Sequence, residues 1–335
     1  MRRANINVEG SVNGELDSSQ SRRGRITSNY TTAPSPVSLS QSPEPSSINN
    51  ILRNHSRDRL YIPPLQWTAQ HLDLLGCRFV RNKAPRLTGE GHRVDLSAQT
   101  ALSLLANRLL HPSITEFKTT VIRLHLKDHN IIYRRSDLLF NFGSRPVIKL
   151  PTNGVFSLSG TDSAAPVMAY LDLEAVRSRR NASIKVSGDN RPNPPIAGLR
   201  QKIQRRLNPI KEAEDPYIAA VLVALAQAAA RDSPVPATSQ DEKVAPEATT
   251  KVYLLARPSD TQGLYFYKAQ FSPAFLDRLD MPSRYFPSRA VKISYYLIPL
   301  SPTRKLAQAM DYTISVIHGV TRPGGARDVE NPNLA

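Results

Sequence analysis

Asp215-Pro-Tyr-Ile-Ala-Ala-Val-Leu-Val-Ala-Leu-Ala-Gln-Ala-Ala-Ala230 is the stretch on which the fold turns. An Asp side chain can cap the free amides of a helix, and Pro is tolerated at the first helical position. From Tyr217 to Ala230 only Gln227 is not apolar, and half of the run is alanine. A membrane span needs about 20 apolar residues. This run is shorter, and a buried core helix is expected.

Strand patterns lie on both sides of that helix. Downstream, Val252–Ala256, Leu264–Phe271 and Val291–Leu297 read as strands. Ser272-Pro273 opens a short helix to Asp280. Ser301-Pro302 opens a last one, in which Leu306, Met310, Thr313, Ile314 and Ile317 share a face before Gly319. Upstream, Thr68 caps a helix ending at Gly76. A second helix, capped by Asp95 or Ser97, carries Ala98, Ala101, Leu102, Leu105 and Leu109 at helical spacing and stops at His111-Pro112. Val121–Leu126 alternates as a strand does, turns at Asp128-His129-Asn130 and returns over Ile131–Tyr133. Val147–Leu150, Val155–Leu158, Val167–Leu173 and Ser183–Val186 are further strands, and Ile196–Leu207 is a helix. Such an order predicts an α/β fold with a mixed sheet flanked by helices.

Residues 1–58 are rich in Ser, Asn, Pro and Arg and hold one aromatic, Tyr30. Too little apolar surface is available there to offset chain entropy, which predicts a disordered tail. A single domain is then expected over 59–320, with an exposed loop at 232–249 and a second tail at 321–335. The single cysteine, Cys77, excludes an intramolecular disulfide and any two-cysteine zinc site. It is expected as a core thiol. The start of the chain lacks an apolar signal stretch. An intracellular protein, nuclear or cytoplasmic and without a membrane anchor, is expected.

The net charge is +16. Half of it falls within residues 173–211, where ten basic side chains face two acidic ones. Arg177, Arg179, Arg180, Lys185 and Arg191 precede the helix that bears Arg200, Lys202, Arg205 and Arg206, and Lys211 follows. Concentrated charge of this kind attracts polyanions. The plain alternative is a solvated helix face.

Asp172 and Glu174, two apart on a predicted strand, point the same way and are paired carboxylates of the kind that hold Mg²⁺. The order of a helix at 96–110, strands, Asp172 and Glu174, Lys185, a helix at 216–230 and a strand resembles the PD-(D/E)XK nuclease fold. The resemblance implies that Asp172 is the first acid and Lys185 the lysine. Ser183 stands where the second acid belongs, and Glu174 is the substitute. Leu60–Trp67, Asp215–Ala220 and Val291–Tyr296 are also similar to a set of fungal proteins of this size without an assigned function, which implies a shared fold over 60–300 and supplies no activity.

Other patterns are weaker. His125 and His129 on a strand are about 13 Å apart at roughly 3.3 Å per residue, too far to share a metal. Gly89-Glu90-Gly91 lacks the Lys-Ser/Thr of a phosphate loop, and Ser157 lacks the glycines of a nucleophile elbow. The leading expectation is a non-enzymatic interaction protein offering the basic surface at 177–211 to an acidic partner, nucleic acid among them, with no cofactor. The alternatives are a divergent Mg²⁺-dependent nuclease and a scaffold protein without nucleic-acid binding.

Overall fold

The structure is a computed structural model describing residues 42–58, 60–84, 96–110, 115–160, 165–184, 194–232, 249–259 and 263–320. The loop expected at 232–249 falls almost wholly outside this range, as do the second tail, Lys185, Arg191 and the 89–91 triplet.

In chain order the elements are α1 (Ile48–Asn54), α2 (Ala69–Leu75), β1 (Cys77–Arg81), α3 (Leu96–Leu110), α4 (Thr115–Asp128), β2 (Ile131–Phe142), β3 (Arg145–Leu158) and β4 (Met168–Asp172). They continue with α5 (Leu173–Ser183), α6 (Pro194–Leu207), α7 (Pro216–Asp232), β5 (Thr250–Arg257), β6 (Gly263–Phe271), α8 (Pro273–Asp280), β7 (Val291–Pro299) and α9 (Thr303–Ile317). The seven strands form one mixed sheet in the order β1-β7-β6-β5-β4-β3-β2. Two neighbouring pairs, β1 with β7 and β4 with β5, are parallel; the others are antiparallel.

Helices cover both faces. One core gathers Ile48 of α1, Leu72 of α2, Leu173 and Val176 of α5, Phe275 of α8 and nearly all of α7. The other is built under α3, α4 and α9 from Leu105, Ile122, Met310 and the sheet residues Phe156, Tyr170 and Phe266. Every residue of α7 from Pro216 to Ala229 is buried, and the alanines let neighbouring backbones come close. Its one polar interior residue has a defined task. Gln227 Oε1 accepts from the Asn141 N–H at 3.0 Å, and Gln227 Nε2 donates to the Asn141 carbonyl at 3.0 Å. The side-chain amide thus pairs with β2 as another strand would, where the β2–β3 register shifts.

The mixed sheet flanked by helices is as the sequence predicts, and so are α2, α3, α7, α8 and α9. Three local expectations fail. Residues 121–126 are helical: α4 buries Lys118, Thr119, Ile122 and Leu126 at the helical period, and the apparent alternation leaves Leu124 exposed. Residues 173–183 are helical as well, with Leu173, Val176 and Arg180 buried on one stripe. The predicted 1–58 tail contains α1, whose Ile48 enters the core and whose cap is Ser47, its Oγ accepting from the Asn50 N–H at 3.3 Å. That cap, the packing of Ile48 and Leu52 on the core, and the bonds from the Asn49 N–H to the Pro282 carbonyl at 2.8 Å and from Asn49 Nδ2 to Ser283 Oγ at 2.7 Å order a seven-residue helix that average composition hides.

Candidate functional site

The two parallel strands β4 and β5 end side by side on Asp172 and Arg257, which are register partners. Both are buried. Arg257 Nε donates to Asp172 Oδ2 at 3.2 Å, and Nη2 donates to Oδ1 at 3.2 Å and Oδ2 at 3.0 Å. The same Nη2 reaches Glu174 Oε2 at 3.3 Å. Asp172 also caps α5, its Oδ1 accepting from the Glu174 N–H at 3.1 Å. Behind it, the β2–β3 register shift over 151–155 brings Asn153 Oδ1 to within 2.8 Å of the Asp172 N–H. A bulge of this kind re-aims a side chain.

Asp172 and Glu174 therefore converge, though not through a strand pleat as the sequence suggested. Asp172 ends the strand, Glu174 lies in the first turn of the next helix, and the cap folds one toward the other. A guanidinium occupies the place between them that a divalent cation would take. Lys118 of α4 lies buried in the field of the same three charges. Burial first, and then the Arg257 cation, push its amine below the usual lysine range, while Asp172 and Glu174 oppose the shift. Tyr170 Oη is buried nearby without a hydrogen-bond partner among the described residues.

The basic residues separate into three kinds. Arg180 is not a surface residue. It is 1% exposed; its Nη2 donates to both oxygens of Asp215, at 2.6 and 2.8 Å, and its Nε donates to the Leu65 carbonyl at 2.8 Å. Arg179 is half-buried, and Lys211 reaches Glu214 Oε1 at 3.3 Å. Arg177, Arg200, Lys202, Arg205 and Arg206 are exposed and, among the described residues, form no ion pair. Lys202, Arg205 and Arg206 follow the i, i+3, i+4 spacing and share one face of α6. Ile196, Ile203 and Leu207 lie half-buried on the neighbouring stripe, and Leu199, between the two, is 50% exposed.

His125 and His129 are also not where strand spacing would put them. Because α4 is a helix, their ring centroids lie 4.9 Å apart at an interplanar angle of 70°. Sequence reasoning missed this pair through the wrong period, and the i, i+4 spacing was its visible signal. Among the described residues no group of three or more His, Cys, Asp or Glu side chains is placed to hold a metal ion. Cys77 is buried in β1, and burial pushes its thiol up to about 12. An apolar cavity of about 260 Å³ lies between α1, α2 and the β2–β3 hairpin, lined by Leu52, Tyr61, Trp67, Phe140, Phe142 and Ile148 among others. No helix among the described residues is long and apolar enough to cross a membrane.

No protein-family model and no curated protein matches this chain.

Proposed function

We propose that this chain is a non-enzymatic interaction protein that holds an acidic partner, a nucleic-acid backbone, against the solvent face of α6. One observation carries the reading. Lys202, Arg205 and Arg206 project together without carboxylate partners among the described residues, while Arg180, Lys211 and Arg257 are tied to Asp215, Glu214 and Asp172. Unpaired cations at one-turn spacing match a run of phosphates, and their contacts position a duplex without reading its sequence.

Fluorescence anisotropy with a labelled duplex at several salt concentrations tests this. The three cations of that face give a slope of log affinity against log salt of about −3, at roughly 0.9 per phosphate, and Arg200, exposed on another side of the helix, adds at most one more. Replacing Arg200, Lys202, Arg205 and Arg206 by Gln should remove most of that slope. Binding of undiminished strength in the quadruple variant would sink the reading.

The convergence of Asp172 and Glu174 supports a second reading, the divergent metal-dependent nuclease. The residues do not fit Mg²⁺ as they stand, because both carboxylates already neutralise Arg257 and Asp172 Oδ1 also accepts the α5 cap. Cleavage of DNA or RNA that needs Mg²⁺ and disappears in Asp172→Asn would restore it over the binding role.

A further inference from the structure

The pair His125 and His129 has no part in the α6 surface or in the Asp172–Arg257 cluster. Its two side chains are four residues apart on α4 and the turn that follows it, on one helix face. For two imidazoles bound to one ion through bonds of about 2.0–2.1 Å at a tetrahedral angle, the ring centroids stand roughly 5 Å apart. The observed separation is 4.9 Å. The rings meet edge to face at an interplanar angle of 70°.

Two further observations set this pair apart from a chance neighbourhood. His125 Nε2 is buried with no hydrogen-bond partner among the described residues. A buried polar nitrogen left in that state is destabilising, and a coordinated ion would relieve it. The second is the rigidity of the backbone under His129. Its N–H donates to the Leu126 carbonyl at 3.0 Å, and its own carbonyl accepts from His318 Nε2, at the end of α9, at 3.0 Å. The next residue, Asn130, takes the left-handed conformation at φ 60°, and its carbonyl accepts from the Ser159 N–H at 2.8 Å. The turn carrying the second ring is thus fixed from α9 and from the end of β3.

The geometry points to a two-imidazole site for a borderline transition-metal ion, Zn²⁺, Ni²⁺ or Cu²⁺, at the end of α4, with solvent completing the coordination. Imidazole nitrogens suit these ions, and two histidines at i and i+4 on a helix are a recurrent way to present them. The site is not hydrolytic in the manner of helical zinc proteases. The residue after the first histidine, where those enzymes carry a glutamate base, is Leu126, which is buried in the core.

The test is isothermal titration of the full chain with CuCl₂ and with ZnCl₂ at neutral pH, repeated on His125→Gln, His129→Gln and His55→Gln. His55 is the control because it is a histidine beside a carboxylate, 2.9 Å from Asp58, away from the pair. One ion per chain is expected, with copper tighter than zinc as the general order of divalent affinities requires. Affinity should fall by about tenfold or more in each of the first two variants and stay level in the third. His129 is only half-buried and its variant should fold, so the test stands even if His125→Gln is unstable. No binding by the unmodified chain, unchanged affinity in His129→Gln, or an equal loss in His55→Gln would each overturn the assignment.

Discussion

Arg180 and Asp215 form an ion pair that is almost fully enclosed, with the guanidinium nitrogen Nη2 between both carboxylate oxygens. The pair joins α5 to the first turn of α7, where Asp215 Oδ1 also accepts from the Tyr217 N–H at 2.9 Å. Through Arg180 Nε it holds the Leu65 carbonyl too. One contact therefore fastens three separate segments around the most buried helix of the protein.

Removing either member should be severe. Arg180→Ala and Asp215→Ala should each cost about 3–5 kcal/mol, because a buried charge is left without its partner. The double variant should cost clearly less than the sum. Urea denaturation of the four proteins gives the coupling directly. Additive losses would mean that the pair acts through packing alone.

Gln227 should resist replacement by an apolar residue of similar size. Gln227→Met would leave the N–H and carbonyl of Asn141 buried and unpaired, at about 1–3 kcal/mol for each group. Urea unfolding would show the loss as a lower midpoint at unchanged slope. A neutral outcome would mean that water reaches Asn141.

Ile48→Ala should lower stability by about 2 kcal/mol, at the low end for buried aliphatic side chains because the residue keeps slight exposure. Thermal unfolding measures this against an Asn54→Ala control on the exposed end of α1. An equal, negligible effect of both would return residues 42–58 to the tail.

Acid should destabilise the fold through His125. Burial first, and then the neighbouring His129, lower its pKa to about 4 from an ordinary 6.5, with Asp128 opposing. The folded state thus prefers the neutral ring. Its contribution is complete above pH 6.5 and is lost as the pH falls from 6.5 toward 4, at most about 3 kcal/mol in all. His71, whose pKa burial also lowers, acts in the same direction. Urea unfolding between pH 7 and pH 4.5, in the presence of a chelator, should show a shallower decline in His125→Gln than in the unmodified chain.

The sequence makes some of this legible and hides the rest for physical reasons. Asp215-Pro216 announces α7 because capping and proline chemistry are local. Thr68, Gly76 and Ser272-Pro273 do the same for α2 and α8. In α4, by contrast, Thr119, Thr120, Val121 and Ile122 form a β-branched run, and Ile122, Leu124 and Leu126 mimic alternation. Burial against β2 and β3 overrides that preference. The same mistake of period separated His125 from His129. Asp172 and Glu174 could be singled out as neighbours in sequence, but Arg257, which binds both, lies more than 80 residues away. Asp215, the partner that withdraws Arg180 from the basic surface, is 35 residues distant. Spacing cannot report such pairings, whereas the free charges of α6 depend on nothing beyond their own helix.

The pairing of β1 with β7 has a consequence for the order of assembly. Cys77 sits in register with Val291, so the strand that enters the sheet first along the chain waits for the one that enters last. During synthesis at about 5–20 residues per second, that delay is on the order of ten seconds or more. Until then β6 is an open edge of the sheet without β7 to cover it, and the segment Cys77–Arg81 has no strand to join. Closing a loop of this length is an entropic burden that local helices such as α7 do not carry. The β1–β7 edge is therefore the part of the molecule where a nascent chain is most open to a chaperone, or to a second copy of itself.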